Sequence, residues 1–392
     1  MRHPTIAIVC NALDDTTRLQ RNITTDSPAA SRKVFMLCQA LRKAGVRAYV
    51  LSLGRGRPDG TAYFKRTVKR VNGVPVLYAP FSQKPILSQV ISLFGLIPSL
   101  LRLSTASNRS VVFYNRMTAY LPTLLMARLS GFRCLLDLED GEVFGQTIRH
   151  RSLRNWLRAS LNAVFDLLCR DGALLACSAL GDATRISPTT CYYGTTSTPS
   201  VLTRWQQTSV TILMSGTLDH DTGAHILIEA IRQLRQDGEL ARPLRFEITG
   251  KGASQTDFEN LAGETGSVAV KVHGRVSNLQ YQQILDRCDI GLALKPVGGA
   301  LADTTFPSKV IEFADAGLLV LTTDISDVRK VLGEGAVYLT HNDPAQLAQL
   351  LRAIAADPAH AKQCARQGRK AVIDQCSPAQ AGRNIAAFIQ GG

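Results

Sequence analysis

The chain has 392 residues, 45% of them apolar and 30 of them glycine, with a formal net charge of +14. That composition excludes disordered and collagen-like chains and suits a soluble α/β protein of about two domains. Nine cysteines without a Cys-x-x-Cys pair argue against zinc ribbons and disulfide scaffolds, and read as buried reduced thiols.

The positive charge is unevenly placed. Residues 1–200 hold 26 Lys or Arg against 11 Asp or Glu, whereas residues 201–392 hold 19 against 20. An anionic partner for the first half is expected: acidic lipid, a phosphorylated substrate or nucleic acid. No zinc spacing, helix-turn-helix or RNA-binding signature supports nucleic acid.

In chain order, "MRHPTIAIVCNALDD" is too short an apolar run for a signal peptide and predicts a first strand at 5–10. "TTDSPAASRKVFMLCQAL" (24–41) leads into a helix over 30–44, and Ser27, Ala29, Ala30 and Ser31 are small enough for a ligand to approach. Further strands are expected at 46–52, 74–78, 110–114, 133–138, 172–177 and 190–193, with a helix at 118–130. The apolar stretch 86–104 is interrupted by Gln89, Gly95, Pro98 and Arg102 and fails as a spanning helix. "RCLLDLEDGEVFGQ" (133–146) runs a strand into Asp137, Glu139, Asp140 and Glu142.

"RHRSLRNWLRASLNAVFDLLCR" (149–170) places Arg151, Arg154 and Arg158 on one helical face. Leu153, Trp156, Leu157 and Leu161 cover another. Such a helix can lie on an anionic membrane, joined by 86–104 with its flanking Lys84 and Arg102. An ordinary packed helix with a solvated basic side is the competing reading.

"YYGTTSTPSVLTRWQQTS" (192–209) has linker composition. It divides the chain into a first domain at 1–194, a linker at 195–208, a second domain at 209–376 and a terminal helix at 377–392, which is expected to pack back on the first domain. In the second half, strands are expected at 209–214, 244–249, 268–272, 289–294, 318–322 and 336–339, with helices at 223–236 and 278–286. Short strands alternating with helices predict two parallel sheets covered on both faces. Two Rossmann-like doubly wound domains facing a central cleft would put the carboxyl ends of both sheets, and hence the ligand, in that cleft.

Four stretches of the second half fit such a site. "FPSKVIEFADAGLLVLTTD" (306–324) predicts a helix with Thr305 as cap, Pro307 in the first turn and Gly317 at its end. Its amides and Lys309 favour a phosphate. Glu312, one turn on, could bind the vicinal hydroxyls of a ribose. "LMSGTLDHDTGAHILIEAIRQL" (213–234) supplies a loop with Gly216 between strand and helix. "FEITGKGASQTDFENL" (246–261) supplies Lys251. "VKVHGRVSNLQYQQILDRCDIGLAL" (270–294) supplies Gly274 and Arg275, with Ser277 and Asn278 as helix caps. The Asp-x-Asp triplet in "LDHD" (218–221) lies in the wrong context for a metal and reads as chance.

In this order and spacing, the four stretches resemble the donor-binding domain of GT-B glycosyltransferases, specifically glycosyltransferase family 4. The resemblance covers 209–340 well and the first domain weakly. It implies a nucleotide-sugar donor, transfer with retention of configuration, and neither a metal nor a resident cofactor. By resemblance, Glu312 holds the donor ribose, and Thr305, Pro307, Ser308 and Lys309 lie near the sugar and diphosphate. The earlier of the family's two glutamates corresponds to Thr304, leaving Asp303 as the substitute carboxylate. The family's Arg and Lys in the first loop correspond to Thr217 and Thr222, so Lys309, and more weakly Lys251 and Arg275, must neutralise the diphosphate; branches with a Pro-Ser-Lys helix start show the same change. Glu139 and Asp140 stand nearest the place where many members carry a histidine.

The expected protein is a cytoplasmic glycosyltransferase, peripheral on the inner membrane face, acting on a glycan or lipid-linked glycan acceptor in cell-surface polysaccharide synthesis. Two alternatives use the same fold: a non-catalytic module that binds a glycan or a partner, motivated by Thr217 and Thr222, and a sugar-nucleotide epimerase, whose catalytic histidines and acids find no counterpart here.

Overall fold

The computed structural model describes residues 4–103, 109–139, 153–197, 204–298, 302 and 304–391. The chain forms two compact units, one of residues 1–195 with 378–392, the other of 196–377. Both are α/β units built on a largely parallel sheet.

Unit 1 contains ten strands: β1 Thr5–Cys10, β2 Arg47–Ser52, β3 Tyr63–Phe64, β4 Thr67–Val71, β5 Val74–Tyr78, β6 Phe81–Ser82, β7 Arg109–Tyr114, β8 Arg133–Leu138, β9 Ala173–Leu175 and β10 Thr189–Cys191. Its helices are α1 Asp15–Gln20, α2 Pro28–Lys43, α3 Pro85–Phe94, α4 Ile97–Leu103, α5 Leu121–Leu129 and α6 Leu153–Leu168. The main sheet has the order β10-β9-β8-β7-β1-β2-β5-β4. β1 is buried at every position, as a central parallel strand covered on both faces must be. The chain moves outward from β1 to β2 and β5, then returns to β7 on the other side of β1. Right-handed crossovers therefore put α2 on one face of the sheet and α3 to α6 on the opposite face.

Unit 2 contains β11 Val210–Thr217, β12 Leu244–Lys251, β13 Gly263–Thr265, β14 Val268–Gly274, β15 Ile290–Ala293, β16 Leu319–Thr323 and β17 Ala336–Leu339. Its helices are α7 Ala224–Gln236, α8 Gln255–Asn260, α9 Asn278–Arg287, α10 Lys309–Asp315, α11 Val328–Leu332, α12 Pro344–Ala356 and α13 Pro358–Cys376. The sheet order β13-β14-β12-β11-β15-β16-β17 reverses direction between β11 and β15. That reversal opens a crevice at the carboxyl ends of these two strands, where doubly wound folds bind ligands.

One further helix, α14 Pro378–Gln390, belongs to unit 1 and packs on α2. Its Ala381, Gly382, Ile385, Ala386 and Ile389 are buried. Gly382 lies so close to α2 that a Cβ there would stand 2.1 Å from the Ala40 carbonyl.

Three local readings of the sequence are corrected. The helix after β15 begins at Lys309, and Ser308 occupies its N-cap without a side-chain hydrogen bond, so Thr305 is not the cap. The pair β4–β5 is an antiparallel hairpin closed by Asn72 and Gly73, both at positive φ, on the edge of the parallel sheet. β11 runs three residues past its expected end, because Gly216 and Gly250 let the chains remain paired to Thr217 and Lys251. All nine cysteines are free thiols, eight of them buried.

Candidate functional site

The crevice of unit 2 is framed by the end of β11, by α9 and by the start of α10. Lys309 stands at the first position of α10 and its ammonium donates to Glu312 Oε2 at 2.8 Å and to the Tyr281 hydroxyl at 2.9 Å. Tyr281 comes from α9, and its hydroxyl lies 3.3 Å from Ser215 Oγ at the end of β11. The ammonium also sits 4.5 Å from the Tyr281 ring centroid and 5.8 Å from that of Phe313. Three side chains from two helices thus surround one cation, and Tyr281 links it to Ser215 at the end of β11.

The electrostatics keep that cation charged. Burial alone would pull the Lys309 ammonium down, but the Glu312 carboxylate and the Tyr281 oxygen outweigh it and hold the group above the ordinary lysine range. Burial pushes the Tyr281 hydroxyl up, and the Glu312 charge pushes it further, so Tyr281 stays a neutral phenol. The Lys309–Glu312 pair is a partly exposed (i, i+3) pair, worth only about 0.5 kcal/mol to folding. Its placement at the sheet reversal is better explained by a ligand than by stability.

The remaining residues singled out in this half are distributed as follows. Gly216 and Thr217 end β11 and are exposed. Gly216, at φ 117°, leaves open space where a Cβ would be. Thr222 is used within its own loop: its hydroxyl donates to the Thr217 or Asp219 carbonyl, both at 2.8 Å, and accepts from the Asp219 amide. Asp219 caps the same turn and accepts from the Ala253 amide at 2.6 Å, a structural role for the Asp-x-Asp triplet. Lys251 ends the neighbouring strand β12, opposite Thr217, with its side chain exposed. Arg275, also exposed, follows β14, two strands from β11 and roughly 10 Å away at normal strand spacing. Ser277 caps α9 in a capping box with Gln280. Pro307 precedes α10, its carbonyl accepting from the Val310 amide. Asp303 lies outside the described residues.

Sequence reasoning missed Lys295 and the polar role of Tyr281. Lys295 follows β15 and donates to the Thr305 hydroxyl, so a second ammonium lies in the loop before α10. The Lys-Pro after an apolar strand was the available signal. It also missed His220, in the turn before α7, and His225, in the first turn of α7, whose rings stack with centroids 3.8 Å apart.

In unit 1, Glu139 follows β8. Its carboxylate pairs with Lys33 of α2, and its amide donates to Asn115 Oδ1 at 2.9 Å. Lys33 also donates to the Tyr192 carbonyl and lies 4.9 Å from the Tyr192 ring centroid. Asp137, 1% exposed, is held well above the carboxylate range by burial and by the charge of Glu139. Asp140 and Glu142 lie outside the described residues. The small residues of 27–31 serve the fold: Ser27 caps α2, and Ser31 Oγ accepts from the Leu13 amide at 2.9 Å. The close approach there is made by the protein's own loop.

The two parallel-sheet α/β units have the fold of the GT-B glycosyltransferases. Residues 203–371, most of unit 2, match the family model described as "Glycosyl transferases group 1". Among solved structures, the chain is similar to HepE of Anabaena in complex with UDP, at 13% identity and a TM-score of 0.63, over 99% of this chain and 100% of that one. It is similar to sucrose-phosphate synthase from Thermosynechococcus elongatus at 13% identity and 0.66, over 99% of both chains. It is similar to a glycosyltransferase from Rickettsia africae at 13% identity and 0.67, over 100% and 99%. No curated protein matches the chain.

Proposed function

We propose that the protein is a retaining glycosyltransferase that moves a hexose from a nucleotide-diphosphate sugar to a glycan or lipid-linked glycan acceptor in cell-surface polysaccharide synthesis, at the cytoplasmic face of a membrane. The observation that carries this reading is the ammonium of Lys309, fixed by Tyr281 and Glu312 beside the end of β11. A nucleoside diphosphate leaves with its negative charge, and a preorganised cation at that point stabilises the transition state. Lys309 has a third N–H donor for the diphosphate, and Lys295 adds a second ammonium nearby. Glu312, one turn into α10, accepts from the ribose hydroxyls. The leaving phosphate takes the acceptor's proton, so Glu139, Asp140 and Asp303 orient the acceptor and offset charge at the sugar carbon. Supporting this reading, HepE binds UDP and UDP-glucose within the same fold, and trehalose-6-phosphate synthase, another structural neighbour, transfers with retention.

Binding of UDP, GDP and ADP, each against its free nucleoside, tests the reading by calorimetry. One diphosphate binds; Lys309→Ala weakens that diphosphate about 10- to 100-fold with little effect on the nucleoside, and Glu312→Ala weakens both. Equal losses of diphosphate and nucleoside on Lys309→Ala would remove Lys309 as the phosphate ligand. The engagement of Thr222 within its own loop, where related enzymes place a cation, favours the second reading, a non-catalytic module. Silence toward all three diphosphates selects it.

A further inference from the structure

Helix α3 is built inside out. Ser88 and Ser92 face the interior of unit 1, where Ser92 Oγ accepts from Arg55 at 2.7 Å and donates to the Ser88 carbonyl at 2.6 Å. Its outer side carries Ile86, 81% exposed, and Phe94, 53% exposed, together with Leu87 and Val90. A helix that faces water arranges these residues the other way round.

The pattern extends beyond α3. Helix α5 packs against α3, α4 and α6. It exposes 73% of Leu129, while α6 exposes 65% of Trp156 and 67% of Leu167. These four helices, all on the sheet face opposite α2, hold eleven of the sixteen exposed large apolar side chains among the described residues. The segment 85–103 has a mean hydropathy of 1.7 over its most apolar window and is long enough by composition to cross a membrane. It does not remain one rod, however: it breaks between α3 and α4, and Leu96 and Leu100 are wholly buried in unit 1. It therefore has the form of a segment that lies on a surface.

Charge identifies the surface. Residues 60–136, which include α3, α4 and α5, contain ten Lys or Arg and no Asp or Glu. Lys84 and Arg102, at the two ends of the α3–α4 segment, are exposed. Arg116 and Arg128 are paired with Asp166 and Asp171, but a second copy of this face would still set the exposed Lys84 and Arg102 against like charges. An anionic bilayer supplies both hydrocarbon for the apolar side chains and negative potential for the basic ones. We propose that the α3–α6 face of unit 1 docks on an anionic lipid surface, with Ile86, Phe94, Trp156 and Leu167 entering the headgroup boundary. The proposal stands on unit 1 alone and survives or fails independently of the donor site in unit 2.

The test is co-sedimentation of the full chain with phosphatidylglycerol vesicles and with phosphatidylcholine vesicles, followed also by tryptophan emission. The wild type is expected to partition onto phosphatidylglycerol, with a blue shift from Trp156, and to release as salt rises. The pair Ile86→Glu/Phe94→Glu and the pair Trp156→Glu/Leu167→Glu are each expected to reduce partitioning at least tenfold with unchanged thermal melting, since all four side chains already face out. Absence of wild-type binding, equal binding to both lipids, or binding unaffected by both pairs overturns the proposal. So does a wild-type dimer that either pair converts to monomer while vesicle binding is unchanged, because the face would then be a contact between copies.

Discussion

The Tyr281 hydroxyl joins an ammonium to the end of a strand, and its own proton makes this possible: a neutral phenol accepts from Lys309 while bonding to Ser215. Lys309 and Glu312 were legible from sequence, because their three-residue spacing puts both on one side of a helix start. Tyr281 and Lys295 were not, since what brings them in is the order of strands across the sheet, which local spacing does not encode. A second polar knot shows how such residues couple to pH. Asp14 accepts from Lys69, Thr17 and the Tyr78 hydroxyl. Burial would raise its carboxyl, but these hydrogen bonds and the Lys69 charge prevail and hold it at about 2, against an ordinary value of 3.8. The folded state therefore binds this proton less readily than the unfolded chain. The stabilisation is complete above about pH 4 and is lost as pH falls toward 2. The gap in melting temperature between wild type and Asp14→Asn should be wide at pH 6 and narrow by pH 3; a gap independent of pH would show that the carboxylate is not the stabilising species.

Among the elements, glycine fixes where the strands of unit 2 end. At Gly250, φ is 130° and a Cβ would stand 1.7 Å from the Gly216 carbonyl, so β11 and β12 remain paired to their last residues only because Gly250 has no side chain. The Gly-Lys-Gly that closes β12 belongs to the stretch 246–261, from which the sequence offered Lys251 to a diphosphate. Gly250 and Gly252 are instead explained by packing, for a Cβ on Gly252 would meet the Leu218 carbonyl at 2.4 Å. Gly250→Ala is expected to cost on the order of 3 kcal/mol, from backbone strain and overpacking together. Urea unfolding followed on unit 2 checks this, and a shift under 1 kcal/mol would mean that the strand ends yield easily. The alternation of strands and helices was legible almost throughout, because parallel strands buried on both faces read as apolar runs. The β4–β5 hairpin was missed although its Asn72-Gly73 turn is a strong hairpin signal. Its strand β4, "TVKRV", is polar and mostly exposed on a sheet edge, so apolar periodicity gave no sign of it.

For the whole molecule, each unit has its own apolar core. The first is completed by residues 378–392, far along the chain. The sequence places a terminal helix at 377–392 against the first domain, but an apolar stripe does not name the element it meets; the close approach of Gly382 to Ala40 of α2 does. Placing a charge at Ile389, which is wholly buried, should therefore destabilise unit 1 and spare unit 2. With Ile389→Asp, hydrogen exchange should accelerate in β1, β2 and α2 while β11 and β12 keep their protection. Equal acceleration in both units would mean that they unfold as one.

This arrangement has a consequence for synthesis. The ribosome delivers all of residues 196–377 before α14, so the second unit can fold while the first still exposes the apolar side of α2 to solvent. The nascent first unit must persist, or be shielded by a chaperone, for as long as translation takes to supply its final helix.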